Sequence, residues 1–418
     1  MTTYPMTQAA SAPSQAPGTS EPAVTSHGWR VLGILSALMG FASISTDLYL
    51  PAMPAMAHAL HADVGTTEWT VTSYLIGFSL GQLVWGPVGD RHGRRIPVLL
   101  GIALFALGSA GCALGTTIWA VIAARILQAI GASAGVVLGR AMVRDLYQGT
   151  RAASMMSTLM TIMAVAPLIG PFVGGQVLLV AGWRAIFWLL VAVGLVTTYA
   201  ITTLPETLPV SRRHDVPLIR ALTGYATLLK NRSILAYIGM GAFFYAGMFA
   251  YVAGSPFAYI TYHHLPPQYY GLLFGLGVIG IMASNMANAR FVHRFGTDRM
   301  LMAGCLLAAL SAACIAFAAT TDAFGLIGLV VTLFFYISAT GLIVANSIAG
   351  AMELAPERSG AVSALTGGLQ YGSGIFSSLL VGILADGTPR PMGFIILATS
   401  LGSLACAFVL ANAKKDAR

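Results

Sequence analysis

The sequence predicts an all-α polytopic membrane protein, twelve transmembrane helices in two six-helix bundles, and three observations carry that expectation. Of 418 residues, 57% are hydrophobic and 9% are charged, with a mean hydropathy of +0.79. That is more apolar surface than a soluble core of this length hides, and a bilayer is the solvent that accepts it. The apolar residues fall into twelve runs, each long enough to cross a hydrocarbon core, which takes about 20 residues as a helix. The longest connection after the first 28 residues divides those runs six and six.

In chain order, residues 1–28 are rich in Ser, Thr, Ala and Pro and lack the basic start and apolar run of a secretory signal. They read as a disordered cytoplasmic tail. Spans follow near 31–50, 69–88, 97–115, 117–141, 153–181 and 184–204, making a first bundle over 29–205. A linker at 206–232, with five bases and Pro217, leads to spans near 233–254, 269–289, 300–319, 323–346, 359–384 and 391–411. The second bundle thus covers 233–411, and 412–418 is a short tail. An even count puts both ends of the chain on one side. Nineteen of the 22 Lys and Arg lie in the ends and connections of that side, leaving Arg184 and Arg390 opposite and Arg125 inside span four. The positive-inside rule makes the basic side cytoplasmic, so a multi-pass protein of the cell inner membrane is expected with both termini inside.

Composition also excludes classes. The net charge of +8 is spread over many short connections and not gathered on one face, so no nucleic-acid partner is expected. Cys112, Cys305, Cys314 and Cys406 sit in apolar stretches without a Cys-x-x-Cys pair or a nearby His, which reads as packing thiols and no metal site. No Gly-x-x-x-x-Gly-Lys-Ser/Thr stretch supports a nucleotide-driven pump, no His falls in mid-membrane, and no carboxylate or Cys/His constellation at a membrane face suggests an enzyme or needs a cofactor.

The densest charge lies between spans two and three, in Gly86-Pro-Val-Gly89-Asp90-Arg91-His-Gly93-Arg94-Arg95. It reads as a tight loop whose glycines accept positive φ. Asp90 could bond the start of a facing helix, such as span eleven near Ser359-Gly360, or a base such as Arg144. It would then act as a conformational latch, while Arg94 and Arg95 also anchor topology by charge. Arg91-x-Gly93 followed by Gly101 recurs 203 residues later as Arg294-x-Gly296 followed by Gly304, at the same place in the second half. There Asp90, Arg94 and Arg95 become His293, Thr297 and Asp298, so the second copy keeps only the outline.

Only Asp47 and Arg125 stand out as ionisable groups within apolar runs, where such a group costs about 2.5–3.5 kcal/mol at a helix centre and is functional or paired. Asp47 is either a proton acceptor or a cap on the turn to Pro51. Arg125 keeps its charge and could hold a carboxylate, or it could be satisfied by backbone carbonyls and polar neighbours; Gln128 shares its helix face. In span five, Gly170 and Gly174 allow close helix approach, and Pro167 and Pro171 with Gly175 invite a bend. Candidate substrate contacts are Tyr49, Tyr74 and Gln128 in the first half. In the second they are Phe243, Phe244, Tyr245, Phe249, Asn285, Asn288, Phe335, Tyr336, Gln370 and Tyr371, since an apolar cavity with a few hydrogen-bonding groups suits amphiphiles. Tyr259, Tyr262, Tyr269 and Tyr270 fit the interfacial belt.

At Gly86, Asp90, Arg91, Gly93, Arg94 and Arg95 the sequence resembles the major facilitator superfamily, whose signature is Gly-x-x-x-Asp-Arg-x-Gly-Arg-Arg. Four more stretches resemble its bicyclomycin/chloramphenicol-resistance (Bcr/CflA) group of drug/proton antiporters. They are Thr46-Asp47-Leu-Tyr49-Leu-Pro51-Ala-Met-Pro54, Arg125-Ile-Leu-Gln128-Ala-Ile-Gly131, Gly170-Pro171-Phe-Val-Gly174-Gly175 and Leu204-Pro205-Glu206-Thr207. The resemblance implies a secondary transporter that exports small amphiphilic drugs against protons by rocking one half on the other. It also implies proton coupling at Asp47 and Arg125, an antiporter motif in span five that sets a bend and limits proton leak, and no cofactor. The expected partners are a small-molecule drug, protons and the lipid bilayer, and a monomer is expected. A sugar or organic-acid transporter on the same fold is the alternative; a polytopic enzyme or receptor would leave the repeat unexplained.

Overall fold

The computed structural model describes residues 28–147, 149–213, 228–355 and 359–416, and among them every regular element is a helix. A bilayer core offers no water, so each backbone N–H and C=O must be paired within its own segment, as a helix does. The first bundle holds α1 (Gly28–Asp47), α2 (Val64–His92), α3 (Arg95–Leu114), α4 (Ile118–Leu146), α5 (Gly149–Ala181) and α6 (Trp183–Thr202). The second holds α7 (Arg232–Pro256), α8 (Pro267–Phe295), α9 (Thr297–Thr321), α10 (Gly325–Glu353, interrupted at Ala339), α11 (Ser359–Ile383) and α12 (Arg390–Asp416). Pro217, Arg220, Arg358 and Arg418, residues 1–27 of the expected tail and 214–227 of the expected linker lie outside the described residues, as do 356–358, which border the start of α11 where Asp90 was expected to dock.

Side-chain caps decide where helices begin. Asp63 accepts from the Thr66 amide at 2.8 Å to open α2, and Asn231 accepts from Ser233 and Ile234 at 3.0 and 3.2 Å to open α7. Pro51 and Pro54 start a 3₁₀ turn (Leu50–Ala52) and a short helix (Met53–Ala59) after α1. At the two Arg-x-Gly repeats the chain reverses from one long helix into the next within two residues. Gly93 has φ 88° and Gly296 has φ 82°, so the repeat in sequence is a repeated demand for positive φ. The densely charged stretch is therefore less of a loop than expected. Gly86 and Gly89 lie inside α2, which runs to His92, and only Gly93 uses glycine's left-handed freedom.

Packing repeats as well. In the first bundle α1 rests on α4, α5 and α6, α4 lies against α2 and α3, and α3 pairs with α6. Adding six to each number gives the contacts of the second bundle, with α7 on α10, α11 and α12. Two helix pairs make most of the contact between the bundles, α2 with α11 and α5 with α8, and the same step of six exchanges one pair for the other. Nine of the helices are long and apolar enough to cross a membrane by composition, counted over the described residues. In α2, apolarity gives way to small and hydroxylic residues that fit between neighbours. Gly77 meets Ala129 of α4 with no room for a side chain, and Thr72 bonds Ser378 of α11 at 2.9 Å.

The inter-bundle contacts cluster between the middle of the molecule and the face opposite the basic connections. Along α2 and α11 they are Gly65 against the Gly382 backbone, Thr72 with Ser378, and Phe78 with Tyr371, whose ring centres are 5.4 Å apart. Along α5 and α8, Gly175 receives Gln268 and Gly271 receives Pro171 and Phe172. Tyr259 and Tyr270, expected in the interfacial belt, are buried at this seal, with Tyr270 bonded to Ser255 at 2.8 Å, whereas Tyr262 and Tyr269 are exposed as expected.

The seal predicts a reversible lock. With Thr72 and Ser378 both replaced by Cys, oxidation should join α2 to α11 and hold the bundles together, and reduction should release them; no disulfide under oxidising conditions would contradict the contact. A methyl group at Gly174 meets the Leu48 carbonyl, while nothing lies within 4 Å at Gly86. Gly174→Ala should therefore lose about 1–3 kcal/mol of stability in thermal unfolding, and Gly86→Ala should lose none.

Candidate functional site

Arg125 of α4 is fully buried, and a charge so placed needs partners from every side. Its Nη1 donates to the Ser45 carbonyl of α1 at 2.9 Å and to Gln128 Oε1 at 2.6 Å, and Nε donates to the Thr70 carbonyl of α2 at 3.4 Å. Gln128 donates in turn to Ser109 Oγ of α3 at 2.8 Å. The guanidinium lies between two aromatic faces, 4.1 Å from the Tyr49 ring centre and 4.3 Å from that of Tyr74. Such stacking stabilises a desolvated cation by about 2 kcal/mol. Tyr49 bonds Thr70 at 3.1 Å and Tyr74 bonds Ser45 at 2.6 Å, so the two rings are held in place by the helices whose carbonyls Arg125 binds. One guanidinium thereby ties α1 to α4 together. Among the described residues it makes no ion pair, so of the roles open to it, backbone carbonyls and polar neighbours describe this state.

Asp47 ends α1 two residues beyond Ser45, and it is 7% exposed. Among the described residues its carboxyl forms no hydrogen bond or ion pair, so it does not cap the turn to Pro51. It instead lines a cavity of about 220 Å³ between the bundles. The backbone around it is clasped by α5: a side chain at Gly170 would touch Asp47 Cβ at 3.2 Å, and one at Gly174 would strike the Leu48 carbonyl. Gly175, on the other side of α5, faces α8. The small residues of this motif thus press one helix against both the carboxyl-bearing end of α1 and the partner bundle, and α5 stays helical through Pro167 and Pro171.

The cavity sorts the expected substrate contacts. Tyr74, Tyr245, Phe249 and Tyr371 line it, as does Pro167. Tyr49 and Gln128 belong to the Arg125 cluster. Phe244 and Tyr336 pack with tilted rings in the core of the second bundle, Asn288 accepts from Asn346 at 2.7 Å, and Gln370 is buried outside the lining. Phe243, Phe335 and Asn285 are exposed and away from it. Thr46, Phe78, Met248, Tyr251 and Phe274 line it without having been singled out. Helical spacing could have found several, since Phe78 follows Tyr74 by four residues, Met248 follows Tyr245 by three and Tyr251 follows Met248 by three. The lining is mostly apolar and aromatic, with Asp47 its one acidic group.

On the basic face, the expected latch is built into the first bundle. Arg94 bridges Asp90 at 2.7 Å and Asp145 of α4 at 2.9 Å. Arg144, offered as a partner for Asp90, is exposed, and Arg94 takes that place. The helix start that binds a carboxylate is that of α3, and the carboxylate is Glu206, which accepts from the Arg94 and Arg95 amides at 2.8 and 3.1 Å. Partial burial pushes the Glu206 carboxyl up, but the amides of Arg94, Leu208 and Arg95 outweigh it and hold it below the usual carboxylate range. Arg95 donates to the Thr202 carbonyl at 2.6 Å, fastening α3 to the end of α6.

One buried ionisable group escaped sequence reasoning. Glu68 is 3% exposed in α2, and the expected span began one residue after it. The cap at Asp63 was the available signal, because it moves the start of the helix back past Glu68.

Comparison with known proteins agrees with this architecture. The profile described as Major Facilitator Superfamily matches residues 32–378. An uncharacterized MFS-type transporter, YdgK, of Bacillus subtilis (strain 168) is 37% identical over 382 residues, covering 90% of this chain and 93% of that one. The chloramphenicol resistance protein of Pseudomonas aeruginosa is 31% identical over 387 residues, covering 89% of each. In fold alone, the crystal structure of a D-xylose–proton symporter matches with a TM-score of 0.74 at 15% identity, over 91% of this chain and 97% of that one. Twelve helices in two like bundles, a cavity between them and relatives along nearly the whole chain lead to one conclusion: this chain belongs to the major facilitator superfamily, in the branch that includes the chloramphenicol-resistance proteins.

Proposed function

We propose that this transporter exports small amphiphilic drugs across the cell inner membrane in exchange for protons, with the basic face in the cytoplasm. The observation that carries the reading is Asp47, an unpaired carboxyl facing an aromatic cavity between the bundles. Aromatic and aliphatic walls fit the apolar body of an amphiphile, and the hydroxyls of Tyr74, Tyr245 and Tyr371 offer a few oriented hydrogen bonds. A sugar carrier on the same fold would want many more hydrogen-bonding groups than this lining holds.

In this reading, proton and drug bind at or beside the same carboxyl and compete for it. Each shifts the balance between the state open to one face and the state open to the other, by no more than its difference in affinity for the two. Arg125 stays charged and holds α1 and α2 in register behind the cavity through Ser45, Thr70 and the ring of Tyr74. Tyr74 is shared by the cluster and the cavity wall, so a change in one is felt by the other. The Asp90–Arg94–Asp145 chain serves as the latch on the basic face, closed within its own bundle while the opposite face is sealed.

In proteoliposomes, Asp47→Asn should abolish drug movement driven by an imposed pH gradient and keep drug counterflow between two pools. Gradient-driven transport at the wild-type rate would contradict the assignment. Asp90→Asn should lower the maximal rate and leave drug affinity nearly unchanged, whereas a large affinity loss at an unchanged maximal rate would move Asp90 from the latch to the binding site.

A further inference from the structure

A second buried carboxyl stands apart from the cavity. Glu68 lies one turn into α2, at the face opposite the basic connections, and its Oε2 has no hydrogen-bond partner among the described residues. It lines a small pocket of about 20 Å³. Apart from Glu68 and Val64, every lining residue belongs to the second bundle, among them Phe257, Val381, Thr388 and Met392. The pocket exists only while the bundles are in contact, and the flanking contacts are those of the seal, Gly65 on Gly382 and Thr72 on Ser378.

An ionised carboxylate enclosed without a full set of partners costs several kcal/mol, while a protonated one costs far less. Parting the bundles removes the second bundle's apolar cover from Glu68 and lets water reach it. We propose that Glu68 is a second proton-binding site of the transporter, formed when the bundles close at the face opposite the basic connections and lost when they part. On closure the carboxylate takes one proton from the water of that face to become a carboxylic acid, and on opening it returns the proton to the same water. Glu68 thus gates the seal and carries no proton across. This rests on the rocking of two bundles and not on the role of Asp47.

The other charged groups near the pocket are exposed or already bonded. Asp63 of α2 is spent on Thr66, and Asp386, in the connection after α11, accepts from Thr388 at 2.9 Å. His263, in the connection between α7 and α8, lies 3.9 Å from Asp322. His58, His61, His264 and Arg390 are exposed, and none lines the pocket. Because closure binds one more proton, acid on that face favours the closed state, by up to about tenfold in the closed-to-open ratio per pH unit.

The test uses the full chain in lipid nanodiscs, its native cysteines replaced, with spin labels at Thr116→Cys and Thr321→Cys on that face, both positions being exposed. Distances are measured from about pH 5.5 to about pH 9, wide enough to show or exclude a response to protons. The wild type should pass from a short to a long distance as pH rises. Glu68→Gln and Glu68→Ala should lose that dependence, the isosteric Gln staying short throughout, and Asp47→Asn should keep it. A pH-independent wild type overturns the proposal. So does a shift that survives in both Glu68 variants, or one that disappears in Asp47→Asn. No drug or gradient is used, so failure here is distinct from failure of antiport.

Discussion

The first bundle is assembled around one obligation, the partnering of the Arg125 charge where no water reaches it. A guanidinium offers five N–H donors and two flat faces. The structure answers it at Nε and Nη1 with carbonyls from α1 and α2 and the amide of Gln128, and at both faces with the rings of Tyr49 and Tyr74, while Nη2 has no hydrogen-bond partner among the described residues. Those contacts fix the heights of α1, α2 and α4 relative to one another. That in turn decides that Asp47, two residues past Ser45, arrives at the cavity and not at the lipid. The placement of the proposed coupling carboxyl is thus a consequence of how a neighbouring cation is satisfied.

Between the bundles the governing constraint is proximity. Gly65, Gly175, Gly271 and Gly382 bring backbones together where any side chain would hold them apart. Contacts of this kind are broad and specific in shape but contain few strong polar bonds; Thr72 with Ser378 is one of them. A seal made this way can part as a unit without stranding many polar groups. The pairing of α2 with α11 and α5 with α8 follows the internal repeat, the symmetry that the proposed rocking would use. On the basic face the bonds are ionic and lie within the first bundle, from Asp90 through Arg94 to Asp145. The two faces are therefore held by different physics.

Much of this was legible in the residues. Hydropathy and the distribution of Lys and Arg marked all twelve helices, because lipid leaves a chain few options. The spacing of Gly170, Gly174 and Gly175 announced close helix contact, and Asp47 and Arg125 announced themselves by cost. Partner choice was less legible. That Arg125 would sit between two tyrosines, that Asp90 would turn to Arg94, and that Glu206 would take the start of α3 all depend on which helices become neighbours, which spacing does not encode. The loop reading of Gly86 and Gly89 failed because glycine serves helix packing in membranes as often as it serves turns. Glu68 was missed because hydropathy places a helix end at the first polar residue, whereas the cap at Asp63 places it a turn earlier.

In the proposed exporter the two carboxyls divide the work: Asp47, between the bundles, faces the cavity proposed for the drug, and Glu68 is the proposed sensor of the far seal. The most direct measurement of the central claim reverses the usual driving force. Purified protein is reconstituted with a pH-sensitive dye trapped in the vesicles, no pH gradient is imposed, and a drug gradient is applied. The account predicts that drug leaving the vesicles draws protons in, so the lumen acidifies, and that Asp47→Asn abolishes the signal. Protons moving in the same direction as the drug, or no proton movement while drug flows, would contradict it.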